Sequence, residues 1–182
     1  MHNIVGIVGM CGAGKSVVTD YFINNGWNKI YFGGVTIEEL QKRNLPINEE
    51  NERKIRELLR KEYGPEAYAV MLKEKIAKSA SEKNTVLDGL YSWYEYVYLK
   101  DNFGDNLTIL AVVTNRSTRY DRLEKRNVRP LSRENANNRD YAEIENLAKG
   151  GPIAIADYYV LNNGDTDALK QQLTNILASL LK

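Results

Sequence analysis

The chain has 182 residues, of which 43% are hydrophobic, and a formal net charge of +1. This length and composition suffice for one substantial core but not for two large domains, so we expect a single domain over residues 1–182. The near-neutral charge gives no general reason to expect a nucleic-acid or membrane partner. The single cysteine excludes an internal disulfide bond. Because no signal-type segment or membrane-length apolar run is apparent, we expect a cytoplasmic protein.

The first apolar run, Ile4–Val8, leads into a glycine-rich loop whose residues 9–16 read Gly-Met-Cys-Gly-Ala-Gly-Lys-Ser. This is the pattern of a phosphate-binding P-loop, in which glycines let successive N–H groups converge on an anion. In this pattern Lys15 reaches the β- and γ-phosphates, and the Ser16 hydroxyl ligates Mg²⁺. The sequence therefore predicts a nucleoside-triphosphate site. The residues predicted to contact the nucleotide here are Gly9, Cys11, Gly12, Ala13, Gly14, Lys15, Ser16 and Val17.

Strand-like and helix-like segments alternate along the rest of the chain, which favours an α/β fold with a mainly parallel sheet. The predicted strands are Ile4–Val8, Asn28–Phe32, Thr85–Gly89, Leu107–Thr114 and Tyr158–Leu161. Four helices are predicted before the third strand. The first covers residues 15–25, the second begins at a capping box of Thr36 and Glu39, and the third begins at Asn48. The fourth follows Gly64-Pro65 and ends at about Glu82. A terminal helix carries leucines and an isoleucine on one face between Leu169 and Leu181, and this face is expected to pack on the core.

Ligands of such a sheet bind beyond the carboxyl ends of its strands, where two features are candidates. Asp88 ends the third strand, where a carboxylate can place Mg²⁺ or accept a proton, although an Asp-Gly turn can also be purely structural. After the fourth strand, arginines are dense enough to suit polyphosphate binding, and we expect two or three of them to contact ligand. These arginines are Arg116, Arg119, Arg122, Arg126, Arg129, Arg133 and Arg139.

The order and spacing of these motifs resemble P-loop kinases of the nucleoside-monophosphate kinase group, especially adenylate-kinase-like and dephospho-coenzyme-A-kinase-like proteins. The matching segments beyond the P-loop are Leu59–Gly64, Val86–Gly89, Arg122–Arg126, Arg139-Asp140 and Ala156–Gly164. The resemblance implies a three-layer α/β/α P-loop NTPase fold with a five-stranded parallel sheet. It also implies a helical acceptor-binding insert at about residues 34–83 and a lid at about residues 127–150.

Site roles follow from the same resemblance. Arg122 would pack on the adenine of ATP, while Arg126 and Arg139 would contact phosphates. Asn163 and Gly164 would border the base.

The chain departs from the pattern of that group on the acceptor side. Gly33-Gly34 stands where such kinases have Gly-Asp followed shortly by Arg, and Tyr91-Ser92 stands where adenylate kinases have Pro-Arg. Two acceptor-binding arginines are therefore missing. Arg60 is a candidate replacement, as are Arg56 and Arg43. The ring of Tyr91 is a candidate for stacking on an acceptor base or sugar, although most rings of its segment are expected to pack a helix onto the sheet.

The predicted function is a small-molecule kinase, monomeric or homodimeric, that uses ATP and Mg²⁺ to phosphorylate a nucleotide-like acceptor. Lys15, Arg126 and Arg139 would stabilise charge, and Ser16 and Asp88 would place Mg²⁺. Two alternatives remain open: a dephospho-coenzyme-A-kinase-like enzyme, and a regulatory ATPase that closes on ATP without an acceptor. A kinase acting on nucleic acid is disfavoured by the near-neutral charge.

Overall fold

Residues 1–181 are described by a computed structural model, and they form a sheet of five parallel strands. The strands are β1 (Ile4–Val8), β2 (Asn28–Tyr31), β3 (Thr85–Asp88), β4 (Leu107–Val113) and β5 (Tyr158–Leu161). Their spatial order is β2-β3-β1-β4-β5, so β1 lies in the centre with β3 and β4 beside it. The carboxyl ends of these strands share one edge, and the predicted P-loop follows β1 at that edge.

Helices fill the connections between the strands. They are α1 (Lys15–Asn24), α2 (Gly34–Lys42), α3 (Glu49–Tyr63), α4 (Ala67–Glu82), α5 (Trp93–Phe103), α6 (Arg116–Lys125), α7 (Arg133–Leu147), α8 (Gly150–Ala154) and α9 (Thr166–Leu180). The predicted start at Asn48 is confirmed, because its side chain accepts a hydrogen bond from the backbone N–H of Asn51 at 2.9 Å. None of the helices within residues 1–181 is both long and apolar enough to cross a bilayer.

The predicted capping box at Thr36 is wrong. Helix α2 already begins at Gly34, so Thr36 lies inside its first turn and caps nothing. Its buried hydroxyl instead pairs with the hydroxyl of Tyr68 on α4, 2.7 Å away. A hydrogen bond between two helices satisfies this polar group in the core, which a local sequence pattern does not reveal.

The two faces of the sheet carry separate hydrophobic cores, because successive strand residues point to opposite sides. On one face, Ile4 and Val8 of β1 pack with residues of α2 to α5. On the other face, Val5 and Ile7 pack with residues of α1 and α9. This is the expected three-layer α/β/α arrangement. The predicted apolar face of α9 is buried from Leu169 to Leu177, while Leu181 beyond it is exposed.

Two groups of helices lie next to the carboxyl edge of the sheet. Helices α2, α3 and α4 form the connection from β2 to β3, which is the segment expected to bind an acceptor. Helices α7 and α8 lie in the connection from β4 to β5, in the segment expected to act as a lid. A small core of Tyr120, Leu123 and Ala136 packs α6 against α7 and reaches Cys11 in the P-loop.

Candidate nucleotide-binding site

The loop after β1 needs glycine at three positions. Gly9, Gly12 and Gly14 have φ angles of +144°, +81° and +93°, which residues with side chains rarely adopt. A Cβ atom on Gly9 would lie 2.5 Å from the backbone oxygen of Val112, and one on Gly12 would lie 2.8 Å from that of Arg119. The loop therefore passes close to β4 and α6, and it enters α1 at Lys15. This is the strand-loop-helix context that a P-loop requires.

Lys15 turns back over this loop. Its Nζ donates hydrogen bonds to the carbonyl oxygens of Gly9 at 2.8 Å and Met10 at 3.1 Å. Burial, together with the positive charge of Lys149, lowers the pKa of Lys15 to about 8. The ammonium group is thus poorly compensated here, because two neutral carbonyl groups are its hydrogen-bond partners within residues 1–181. An anion at the loop would relieve this deficit.

The residues that follow β4 and β5 donate hydrogen bonds to the loop. The Asn162 side chain donates to the Ala13 carbonyl oxygen at 2.8 Å, and the Thr114 hydroxyl donates to the same oxygen at 3.0 Å. Asn162 thus contacts the P-loop, whereas the side chain of its neighbour Asn163 accepts a hydrogen bond from the backbone of Asn115. Gly164 follows in an open position, with no atom of the described residues within 4 Å of a Cβ built there.

Arg122 lies beside Gly14 with part of its guanidinium group unused. Its Nη2 donates to the Asn162 carbonyl oxygen at 2.9 Å. Its Nη1 is buried, finds no hydrogen-bond partner among residues 1–181, and lies 3.9 Å from the position of a Cβ on Gly14. A buried charged donor without a partner costs free energy, so such a group in a native protein usually binds a ligand or water.

A buried ion pair joins the loop to the lid segment. Arg119 binds Asp140 of α7 with two hydrogen bonds, of 2.9 and 2.6 Å, and also donates to the carbonyl oxygen of Cys11 at 2.9 Å. The hydroxyl of Tyr120 donates to the same carboxylate at 3.1 Å. Helix α7 is therefore held against the phosphate-binding loop by charge-assisted hydrogen bonds.

Further cations from the lid segment collect around the ring of Tyr91. Arg139 and Lys149 both bind the carboxylate of Glu143, at 3.0 and 2.6 Å. The Nζ of Lys149 lies 4.5 Å from the centroid of the Tyr91 ring, and the Nζ of Lys15 lies 5.8 Å from the same centroid. Burial favours a high pKa for Glu143, but the charges of Lys149 and Arg139 outweigh it and hold the pKa below its ordinary value.

The residues expected to place Mg²⁺ are Ser16 and Asp88. Ser16 is exposed in the first turn of α1. Asp88 ends β3, where its carboxylate pairs with Nζ of Lys29 on β2 at 2.8 Å. Within residues 1–181 no three histidine, cysteine or acidic residues converge on a common point as a metal-binding cluster would. Magnesium does not need such a cluster, because it typically takes one or two protein ligands together with phosphates and water.

Helix α3 carries one further unpaired group. The Nε of Arg60 on α3 is buried, with no hydrogen-bond partner found for it in the part of the chain that the structure describes. Its guanidinium carbon lies 5.5 Å from the ring centroid of Tyr68. Glu95, also buried, accepts hydrogen bonds from the backbone of Tyr91 and Ser92, both at 3.0 Å. Burial raises the pKa of Glu95, and the charge of Arg60 opposes that rise.

The loop between α6 and α7 reaches helix α3. Arg126 donates to the carbonyl oxygen of Arg129 at the start of this loop. Arg129 in turn binds Glu52 on α3 at 2.9 Å and Glu49 at 3.5 Å. The lid segment thus contacts both the P-loop and the helices between β2 and β3. Arg126 itself is engaged with its own loop.

Three contributors to the site were not found by sequence reasoning. Asn162 and Arg119 donate hydrogen bonds to the loop, and Lys149 lies against the ring of Tyr91. The sequence singles out Arg119 only as one of seven arginines. Asn162 directly follows β5, so its place after a predicted strand was a usable signal. Lys149 carried no such signal, because its burial depends on how α7 and α8 pack.

This chain is similar in sequence to known proteins. Residues 5–149 match the AAA domain family AAA_18. A UPF0200 protein of Methanococcus vannielii is 33% identical over 187 residues, covering 98% of this chain and 97% of the relative. The UPF0200 protein TK1334 of Thermococcus kodakarensis is 32% identical over 182 residues, with 98% of each chain covered.

Solved structures of P-loop kinases share the fold. A shikimate kinase from Bacteroides thetaiotaomicron superposes with a TM-score of 0.64 at 11% identity and covers 99% of both chains. A dephospho-CoA kinase from Campylobacter jejuni gives a TM-score of 0.58 at 14% identity, covering 98% of this chain and 97% of that one. At such low identity the likeness shows the fold alone. The chain therefore belongs to the AAA domain family AAA_18 and to the UPF0200 proteins, and it has the fold of the P-loop kinases.

Proposed function

We propose that this protein is a kinase that transfers the γ-phosphoryl group of ATP to a nucleotide-like small molecule. The observation that carries the proposal is the attachment of α7 to the P-loop through Arg119, Asp140 and Cys11. A segment held over the phosphates can exclude water from the reacting group, which a kinase needs in order to avoid hydrolysis. The kinase fold of the solved neighbours supports the same reading.

The residues present fit a bound nucleotide. The glycines keep the cradle of the loop free of Cβ atoms, and Arg122 keeps a buried Nη1 unpaired beside it. In the proposal, backbone N–H groups from Gly12 to Ser16 hold the β-phosphate, and Val17 lies next to them at the start of α1. Arg122 packs on the adenine, which Asn163 and Gly164 border. Gly9, Cys11 and Ala13 shape the rest of the loop.

Mg²⁺ fits the exposed hydroxyl of Ser16 together with phosphate oxygens, and Asp88 would hold it through water. When bound, the metal neutralises charge on the phosphates. The ion pair with Lys29, at 2.8 Å, holds the carboxylate of Asp88 in place at the end of β3.

The transfer itself depends mainly on positioning and charge. Lys15 exchanges its two carbonyl partners for phosphate oxygens and stabilises the negative charge there. Arg139, from α7, approaches the transferred group from the lid, and Arg126 supports it from the start of the lid loop. Held in line, acceptor and donor need little further chemistry from the protein.

The acceptor is proposed to lie between the P-loop and helices α2 to α4. Arg60 has an unpaired buried donor there, and Tyr91 offers a ring. A dephospho-coenzyme-A-like acceptor and a regulatory ATPase with no acceptor are the alternatives that an assay must separate.

A chromatographic transfer assay tests the proposal. Mg-ATP is incubated with each ribonucleoside and deoxyribonucleoside monophosphate and with dephospho-coenzyme A, and products are separated by ion exchange. We expect one class of acceptor to be phosphorylated by the wild-type protein, and we expect Lys15→Ala to abolish the transfer. Undiminished transfer by Lys15→Ala would exclude the P-loop as the site. Slow ATP hydrolysis with every acceptor left unchanged would favour the regulatory ATPase.

A further inference from the structure

We propose that Lys149 is a second phosphate-binding lysine and that it selects an acceptor whose attacking group is a phosphate monoester. The carboxylate of Glu143 holds Lys149 in place until that anion binds. This inference rests on the proposed kinase function and adds the chemical class of its acceptor.

The first ground is the burial of Lys149. Its side chain is 2% exposed, which is rare for lysine unless the ammonium group is paired. The pairing here is a single carboxylate oxygen of Glu143 at 2.6 Å, together with the face of the Tyr91 ring at 4.5 Å. A lysine with a purely structural task is usually at the surface, where the ammonium group remains hydrated. Lys149 instead turns its charge inward, toward the end of β3.

The second ground is the convergence of Lys149 and Lys15. Both ammonium groups face the ring of Tyr91, the residue that stands in the segment where the resembling adenylate kinases carry Pro-Arg. Two cations directed at one ring repel each other, and the charge of Lys149 contributes to the lowered pKa of Lys15. An anion that binds close to both ammonium groups would relieve this repulsion.

The third ground is the local balance of charge. Lys15, Lys149 and Arg139 supply three positive charges, and Glu143 supplies one negative charge that Lys149 and Arg139 share. The carboxylate of Asp88 is already paired with Lys29. The group therefore carries an excess of positive charge, which suits two phosphoryl groups brought together against their mutual repulsion.

This balance favours a phosphate acceptor over a hydroxyl acceptor. An oxygen of the acceptor phosphate would form the new bond to the γ-phosphorus, while the bond from that phosphorus to the β,γ-bridging oxygen breaks and ADP keeps its electron pair. The attacking oxygen of a phosphate dianion has no proton to lose, so the step needs no general base. A hydroxyl acceptor would need one, and Asp88 is engaged by Lys29.

The alternative is that Lys149 and Glu143 form an ion pair that only stabilises the junction of α7 and α8. The two interpretations differ in the effect of Glu143→Gln. A structural pair predicts that removing either partner weakens the fold and leaves anion binding alone. The proposal predicts opposite effects on anion binding, because Glu143→Gln frees Lys149 while Lys149→Met removes it.

The test compares two inorganic probes by isothermal titration calorimetry on the full chain with Mg²⁺. Pyrophosphate can occupy the P-loop alone, and tetrapolyphosphate is long enough to continue toward the acceptor. We expect wild type to bind tetrapolyphosphate more tightly than pyrophosphate. Lys149→Met should weaken tetrapolyphosphate roughly tenfold with pyrophosphate unchanged, as for loss of one charge-assisted hydrogen bond. Glu143→Gln should tighten tetrapolyphosphate, and Lys15→Met should weaken both probes.

An unchanged ratio of the two affinities in Lys149→Met, or an equal loss for both probes, would overturn the proposal. If Lys149→Met does not fold, the double variant Lys149→Met/Glu143→Gln removes both charges of the pair and must show the same selective loss. These titrations involve no turnover. They can therefore fail while the transfer assay succeeds, which separates this inference from the proposed function.

Discussion

Arg119 provides the sharpest prediction about how the site is held together. Its guanidinium group and the carboxylate of Asp140 are 7% and 8% exposed, and two hydrogen bonds of 2.9 and 2.6 Å join them. Arg119→Met removes the cation but leaves the carboxylate buried. Its remaining hydrogen bond then comes from the hydroxyl of Tyr120 at 3.1 Å.

The cost follows from this burial. Removing one partner of a buried ion pair costs about 3–5 kcal/mol, because the other charge stays uncompensated. A protein of this size has a free energy of unfolding of roughly 5–15 kcal/mol, so the variant loses a large share of it. The midpoint of thermal unfolding should fall by roughly 10 °C. The exposed pair of Arg133 and Asp121 offers a matched control, for which Arg133→Met should cost less than about 1 kcal/mol.

Urea unfolding followed by circular dichroism measures both variants, and a double-mutant cycle completes the test. Asp140→Leu alone should also destabilise, whereas Arg119→Met/Asp140→Leu should recover much of the loss, because no buried charge is left unpaired. A stabilising role for the buried pair is refuted if Arg119→Met costs no more than Arg133→Met, or if the two single effects simply add in the double variant.

Three other predictions concern the loop and Arg122 beside it. Because the pKa of Lys15 is lowered to about 8, its ammonium group is protonated below pH 8 and loses its charge above it. The affinity for MgADP, measured by calorimetry, should therefore be steady below pH 8 and fall by up to about tenfold per pH unit above it. Lys15→Arg should not show this pH dependence. Gly9→Ala places a Cβ 2.5 Å from the backbone oxygen of Val112, so it should lower the free energy of unfolding in urea by about 1–3 kcal/mol or more. Gly150→Ala is the control: no described atom lies within 4 Å of its Cβ, and the free energy of unfolding should hardly change. Arg122→Gln should weaken MgADP binding roughly tenfold in a fluorescence titration, and an affinity equal to wild type would show that its unpaired nitrogen serves another purpose.

The P-loop and the strands could be predicted from the sequence because their signals are local. Glycine spacing fixes the loop, and apolar runs fix the strands to within a residue or so. The start of α2 was missed because Thr36 hydrogen-bonds to Tyr68, a partner that the local pattern does not include. A predicted strand end also does not say which of two adjacent asparagines turns inward, and here it is Asn162 that contacts the loop.

The contacts made by the arginines of α6 and α7 could not be predicted from the sequence, for a different reason. A dense run of arginines looks the same whether its members bind ligand, pair across a core or face solvent. Arg119 pairs with Asp140, Arg133 faces solvent, and Arg122 keeps an unpaired nitrogen. Only the packing of α6 against α7 assigns these roles. The same packing buries Lys149, whose sequence neighbours gave no sign of it.

In the proposed reaction the γ-phosphoryl group passes to an acceptor rather than to water. The most direct test is the fate of ³²P from γ-labelled ATP, measured as label in acceptor against label in inorganic phosphate, with mixed nucleoside monophosphates and Mg²⁺. We expect most of the released label to appear in a nucleoside diphosphate, and we expect Lys15→Ala to stop its release. Label found only in inorganic phosphate, at a rate that acceptors do not change, would contradict it.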